Sequence, residues 1–385
     1  MRRAVYRAAA AGLRLLAPVR RPCPLDQARK ILVIGTGGIG DVVMKMPLFT
    51  HIRQRFPQAE IVLFTSSGPE RELVESHPGI DRIFTLEQRE AMRMRHPLQV
   101  IRNLRKLRAE RFDMTLTTHQ GIGFTGAVFS YLLGAPIRVG FDKGGRGVLY
   151  THRVEVEDVE ARHAVDWNLD LAVRLGINVD TRQLSLPLPA QDRQFAADLL
   201  AGAGVAADQV VIALFQGSKR RSRLWLGDRF AQLADALADR YRSRILLFGA
   251  ENERPAIEAI AGAMRSSPIV AIGQTIRQTA ALIERSGLLV SCDSGPVHIA
   301  AALETPVVAL FGPETPVRVG PYGERSAVVR HDLPCSPCHG KDCRFGRPRC
   351  MELITVDEVL RTIEARAARW GLASFRKLDR RRDDH

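Results

Sequence analysis

The chain has 385 residues, 45% hydrophobic and 25% charged, the composition of an ordinary soluble globular protein with length for two or three domains. No long uncharged apolar run is present, so no transmembrane helix is expected. Lys and Arg number 56 against 42 Asp and Glu, a net charge of +14, which favours acidic partners: nucleic acid, anionic lipid or phosphorylated substrates.

In chain order, the opening stretch interleaves Arg7 and Arg14 with apolar residues. A secretory signal needs an unbroken apolar centre; two expectations are left, a frayed leader or a basic amphipathic segment on an anionic membrane surface. Residues 31–34 (Ile31, Leu32, Val33, Ile34) read as a buried parallel strand. It enters the turn Gly35-Thr36-Gly37-Gly38-Ile39-Gly40-Asp41, after which Val42, Val43 and Met46 open a helix that Pro47 breaks and restarts. Strands are expected at 61–64 and 114–117, separated by a stretch rich in Arg89, Arg93, Arg95, Arg102, Arg105, Lys106 and Arg108. After a proline-containing linker at 184–189 the pattern restarts, with strands at 210–214, 245–248, 288–291 and 307–310 and a helix from about Asp228. Thr355 and Glu358 have capping-box spacing and open a helix through Val359, Leu360 and Ile363. Residues 376–385 carry too little apolar surface to pack and are expected to be disordered. Two successive runs of strands alternating with helices predict two doubly wound α/β units, with ligands at the carboxyl ends of the strands.

Gly35, Gly37 and Gly40 have the Gly-x-Gly-x-x-Gly spacing of a dinucleotide fingerprint, which raises a nicotinamide or flavin oxidoreductase as a rival function. That fingerprint expects an acid at the end of the second strand to hold the ribose. Here the strand ends in Phe64-Thr65-Ser66-Ser67, and Glu60 stands at its other end. The rival is weakened accordingly. Asp41 alone reads as a helix cap. In the second half, Asp293-Ser294-Gly295-Pro296-Val297-His298 forms a strand-to-helix turn of small residues, where backbone N–H groups and the helix N-terminus receive phosphate. His298 is either a phosphate or sugar contact or a packing residue. Phe311-Gly312-Pro313-Glu314 marks a further turn on the same edge. Of six cysteines, Cys23 and Cys292 stand apart, while Cys335, Cys338, Cys343 and Cys350 form Cys-x2-Cys-x4-Cys-x6-Cys. Without a secretion signal, a metal site or free thiols are expected in preference to disulfides. Structural zinc or an iron–sulfur cluster fits the chemistry of that set.

Gly38-Ile39-Gly40-Asp41-Val42-Val43 with Pro47, Arg138-Val139-Gly140, Gly217-Ser218 followed by Trp225, Asp293-Ser294-Gly295 with His298, and Phe311-Gly312-Pro313 occur in one order. Together they resemble glycosyltransferase family 9, the bacterial heptosyltransferases of lipopolysaccharide core assembly, over residues 30–360. The resemblance implies a GT-B fold, two Rossmann-like doubly wound domains facing a central cleft. With the leader and tail read above, the expected divisions are a basic leader at 1–26, an acceptor-binding domain at 27–188, a sugar-nucleotide domain at 189–355, and a terminal helix and tail at 356–385. The resemblance implies Asp41 as general base with Gly38 and Gly40 on the acceptor side, Ser218 on a phosphate, and Glu253 on the nucleotide ribose. Asp293, Ser294, Gly295 and His298 match its diphosphate-sugar loop. Arg223 stands where the family often has Lys, two residues before Trp225. An Arg there can still neutralise a diphosphate through a planar fork, and Lys219, Arg220 and Arg221 lie in the same loop.

The expected reaction is one in-line displacement with inversion, Asp41 taking the acceptor proton and Arg223 facing the leaving diphosphate. No cofactor is required for that step. The implied partners are ADP-heptose, a phosphorylated lipid-linked saccharide and the anionic inner face of the inner membrane, which makes the protein cytoplasmic and peripheral. The same fold with another nucleotide sugar or glycan acceptor is the alternative. A basic nucleic-acid-binding protein is disfavoured, since no such module is recognisable and aromatic content is 6%.

Overall fold

The computed structural model describes residues 2–16, 24–35, 37–66, 68–86, 97–118 and 122–370. Cys23, Thr36, Ser67, Arg89, Arg93, Arg95 and the tail 376–385 lie outside the described residues, and the expectations for them with it. The chain divides into two units, Met1–Pro187 and Leu188–His385.

In the first unit, strands Lys30–Ile34 (β1), Glu60–Ser66 (β2), Arg82–Leu86 (β3), Met114–Thr117 (β4), Ile137–Asp142 (β5) and His152–Glu155 (β6) form one sheet. Its order is β3-β2-β1-β4-β5-β6, and every pair is parallel. The central strand β1 buries Ile31, Leu32, Val33 and Ile34, as a strand covered on both faces must. Chain direction across the sheet reverses between β1 and β4, the switch point at which doubly wound sheets bind ligands. β5 is buried along its whole length although it contains Arg138 and Asp142. The Arg138 guanidinium is satisfied by the carbonyls of Leu149, Ala135 and Pro136. The ring of Tyr150 occupies the place of a Cβ at Gly140.

The opening helix Arg2–Leu16 is docked and not frayed. Ala10 packs in a cluster with Ala127, Tyr131, Leu149 and Tyr150, and the Tyr6 ring lies 5.0 Å from that of Phe124. Tyr6, Ala10 and Leu13 thus pack in the cluster built on helix Phe124–Leu132, while Arg3, Val5 and Arg7 are exposed.

In the second unit, Val211–Phe215 (β7), Arg244–Gly249 (β8), Ile269–Ile272 (β9), Leu288–Cys292 (β10), Val307–Phe311 (β11) and Ser326–Arg330 (β12) form a sheet of order β12-β11-β10-β7-β8-β9. This repeats the winding of the first unit, with its switch point between β7 and β10. Helix Val356–Ala367 starts at Thr355, whose Oγ1 accepts from Glu358 N–H at 3.2 Å. Its Val359, Leu360 and Ile363 join Phe230, Leu233, Leu237 and Trp370 in one core. The terminal helix is therefore an integral layer of the second unit.

Candidate active site

At the first switch point the turn after β1 is built around Gly35. Its N–H donates to Phe64 O at 2.9 Å. Its carbonyl accepts from Lys45 Nζ at 3.0 Å and from Thr65 Oγ1 at 3.3 Å. Gly37 follows with φ of 151°, in the region that favours glycine. The half-buried Asp41 side chain folds back over this turn, and its Oδ2 accepts from Gly38 N–H at 2.8 Å. A Cβ at Gly37 would stand 2.6 Å from that oxygen, whereas one at Gly38 would meet it only at 3.9 Å. The space for the carboxylate therefore comes from Gly37, and Gly40 sits within helix Ile39–Val43.

A lone Lys between Met44 and Met46 in an apolar run, Lys45 is the sequence signal for a buried cation at this turn. It is fully buried. Desolvation pushes its ammonium down to about 8, against the opposing pull of the Asp41 and Glu70 carboxylates. An amine whose pKa falls on folding is a liability while charged. Between about 8 and 10.5 the unfolded chain binds more protons at this site, so its contribution to stability rises with pH across that window. Lys45→Met is expected to be neutral or stabilising at pH 7 and to lose roughly 3 kcal/mol of that rise. Urea unfolding of both proteins at pH 7 and pH 10 checks it; equal pH dependence in the two would refute the burial account.

At the second switch point, four strand ends bring polar groups together. Gly217 and Ser218 follow β7, Glu253 follows β8, Asp293 to Gly295 follow β10, and Glu314 follows β11. Glu253 lies over the glycines that end two neighbouring strands. A Cβ at Gly217 would run into its Oε1, and one at Gly249 would stand 2.9 Å from its Oε2. The same Oε2 accepts from Ala250 N–H at 2.9 Å. Ser218 Oγ accepts from Arg220 N–H at 3.3 Å. Helix Gly295–Ala302 has Ser294 at its N-cap position and Pro296 in its first turn; the Ser294 side chain makes no capping bond, and its Oγ donates to Cys292 O at 3.0 Å.

Asp293 and His298 are both buried. Burial pushes the Asp293 carboxyl up to about 7; Arg223 pulls it down, Glu314 pushes it up and Arg220 pulls it down again. Arg223 lies across this group, with Nη1 3.2 Å from Asp293 Oδ2 and Nη2 2.7 Å from Glu314 Oε1. Arg220 pairs with the same Glu314 oxygen. Of the four cations in this loop, Arg220 and Arg223 enter the cluster, while Lys219 and Arg221 have exposed side chains. Trp225 is a core residue whose indole donates to Ile354 O at 3.0 Å.

The sequence profile of glycosyltransferase family 9 (heptosyltransferase) matches residues 100–348, a span that contains the whole second cluster. The chain belongs to this family. It is 26% identical over 354 residues to lipopolysaccharide heptosyltransferase 2 of Escherichia coli K12, covering 87% of this chain and 98% of that one. A family 9 glycosyltransferase from Veillonella parvula superposes with TM-score 0.77 at 22% identity, over 90% of this chain and 98% of the other. An Escherichia coli heptosyltransferase solved with ADP gives TM-score 0.67 at 21% identity, over 87% and 99%. These glycosyltransferases share the two-sheet GT-B fold.

In this glycosyltransferase the structure gathers Ser218, Arg223, Glu253, Asp293, Ser294, Gly295 and His298 around one switch point, and places Asp41, Gly38 and Gly40 at the other. It brings Cys335 and Cys338 close to Cys350. The Cys350 thiol is pushed up by burial and by neighbouring Cys338 and Cys335, whereas Cys343 Sγ donates to Arg347 O at 3.1 Å. Among the described residues no three His, Cys, Asp or Glu side chains stand where they could hold one ion. No helix of the described residues is long and apolar enough to cross a membrane.

Proposed function

We propose that this glycosyltransferase transfers heptose, with inversion, from ADP-heptose to a phosphorylated, lipid-linked saccharide of the lipopolysaccharide inner core. The observation that carries the donor assignment is the convergence of Glu253, Ser218, Arg223 and Asp293 at the carboxyl ends of β7, β8 and β10. Glu253 suits a ribose diol, since an ionised carboxylate accepts two hydroxyl hydrogens. Arg223 and the N-terminus of helix Gly295–Ala302 suit the diphosphate, whose charge grows as it leaves. Heptose and the lipopolysaccharide acceptor are inferred from the heptosyltransferases that the chain resembles.

Asp41 is the base in this reading. A sugar hydroxyl is a weak nucleophile until its proton is removed as attack develops, and a carboxylate beside the glycine turn of the first switch point supports that role for Asp41. The bond from the acceptor oxygen to the anomeric carbon forms as the bond to the diphosphate breaks, and the proton passes to the carboxylate. The exposed Arg102, Arg105 and Lys106 on helix Pro97–Ala109 and Arg3 and Arg7 on the opening helix supply positive charge for a phosphorylated acceptor and the anionic membrane that carries it.

A thermal-shift series with ADP-, UDP- and GDP-sugars tests the donor. A ligand bound only by the folded state, at a hundred times its Kd, adds ~2.7 kcal/mol of stability. ADP-heptose is expected to raise Tm and the UDP- and GDP-sugars to leave it unchanged. A chain that responds to no ADP-sugar is not an ADP-heptose enzyme.

A further inference from the structure

Glu314 has no part in the transfer step just derived, yet it is an almost wholly buried carboxylate, 4% exposed, beside a site for an anion. An incoming diphosphate would be repelled by it, so its charge there is unfavourable unless spent on other groups. Both oxygens are spent. Oε1 accepts from Arg223 Nη2 at 2.7 Å and from Arg220. Oε2 lies 2.7 Å from His339 Nδ1, and since an ionised carboxylate only accepts, the imidazole N–H donates. Burial raises the Glu314 pKa, but Arg223 and His339 outweigh it and hold the group below its ordinary value.

His339 belongs to the loop that carries Cys335, Cys338 and Cys343, and this loop grips the arginine turn at three more points. Ser222 N–H donates to Lys341 O at 3.0 Å, Ser222 Oγ to Gly340 O at 2.6 Å, and Arg220 Nη1 to His339 O at 3.1 Å. Arg223 is thereby fixed from two sides, by Asp293 on Nη1 and Glu314 on Nη2. Its Nε–H is buried and has no hydrogen-bond partner among the described residues. An arginine held in advance loses less freedom when it meets a phosphate than one that must be ordered by it.

We infer that Glu314 and His339 are positioning residues, a brace through which the cysteine-bearing loop holds Arg223 and Arg220 aligned for the donor's diphosphate. This rests on the donor reading above. Calorimetric titration of the full chain with ADP and, separately, with adenosine tests it. Glu314→Gln is expected to weaken ADP about 10–100-fold and to leave adenosine unchanged, with the donor KM rising more than kcat falls. His339→Ala is expected to give a smaller loss of the same kind, and His339→Asn, whose amide nitrogen can take the place of Nδ1, to restore it. The His339 side chain is 41% exposed, so its variants test the brace even if Glu314→Gln fails to fold. ADP affinity unchanged or tighter in Glu314→Gln would overturn the brace, since Glu314 would then merely compete with phosphate for the arginines. Equal losses for ADP and adenosine would overturn it too, by showing a general structural role. Wild-type protein that binds no ADP would overturn the donor reading and the brace together, whereas normal ADP binding in both variants overturns the brace alone.

Discussion

Asp41→Asn is expected to lower the rate of transfer by about 10²–10⁴-fold, the range set by removal of a general base, with donor affinity and Tm close to wild type. The substitution separates the two tasks of this side chain. As a cap, Asp41 gives Oδ2 to Gly38 N–H at 2.8 Å, and an asparagine carbonyl oxygen can accept that bond equally well. As a base, it must take a proton, which an amide does not do at neutral pH. The geometry around it also keeps the amide in place, because Gly37 leaves the side chain room that any Cβ there would fill. Single-turnover measurement of heptose transfer, with Tm recorded on the same samples, reads both tasks. Near-normal turnover at unchanged Tm would leave Asp41 as a helix cap and remove it from the chemistry. The family match begins at residue 100, so Asp41's role depends on this experiment more than that of any residue in the second unit.

How much of this was readable beforehand follows from where side chains face. β1, β2, β7, β8, β10 and β11 are legible because strands buried on both faces are written as apolar runs, and β4 as the alternating Met114-Thr115-Leu116-Thr117. β3 opens on Arg82, and β6 is His152-Arg153-Val154-Glu155 with alternating burial, so neither looks like such a run. β5 is fully buried but hides behind Arg138, whose guanidinium donates to local carbonyls that no sequence pattern announces. The same distinction holds at the site. Glycines at strand ends and the turn at Asp293 are local signals, and they pointed to the second switch point. The Glu314 cluster is not local: its partners lie 91 residues earlier at Arg223 and 25 later at His339, and only the sheet order brings β7, β10 and β11 side by side. The cysteine spacing was legible as a pattern, but the structure uses the backbone of that loop to hold Arg220 and Ser222.

Arg223→Ala is the second substitution with a large expected effect, and here binding and stability fall together. It strips the shared cation from Asp293 and Glu314, two buried carboxylates, and breaking a buried pair from one side costs about 3–5 kcal/mol. The loss has a defined pH dependence. The Asp293 pKa is already raised to about 7, and Arg223 is the first influence that holds it down against burial. For an acid whose pKa rises on folding, the contribution to stability is fully present below the unfolded value and is lost as pH rises through the folded one. Without Arg223 the folded value moves higher still, so the stability deficit of the variant is expected to widen from pH 5 to pH 8. Arg223→Lys keeps the charge without the fork. It is expected to recover most of the stability but only part of the ADP affinity, because one ammonium cannot span Asp293, Glu314 and a phosphate oxygen as the guanidinium can. Urea unfolding at pH 5 and pH 8, with ADP titration of the three proteins, checks this. An Arg223→Ala protein that binds ADP like the wild type would move the diphosphate away from Arg223, and a deficit that narrows with pH would refute the ion pair as its source.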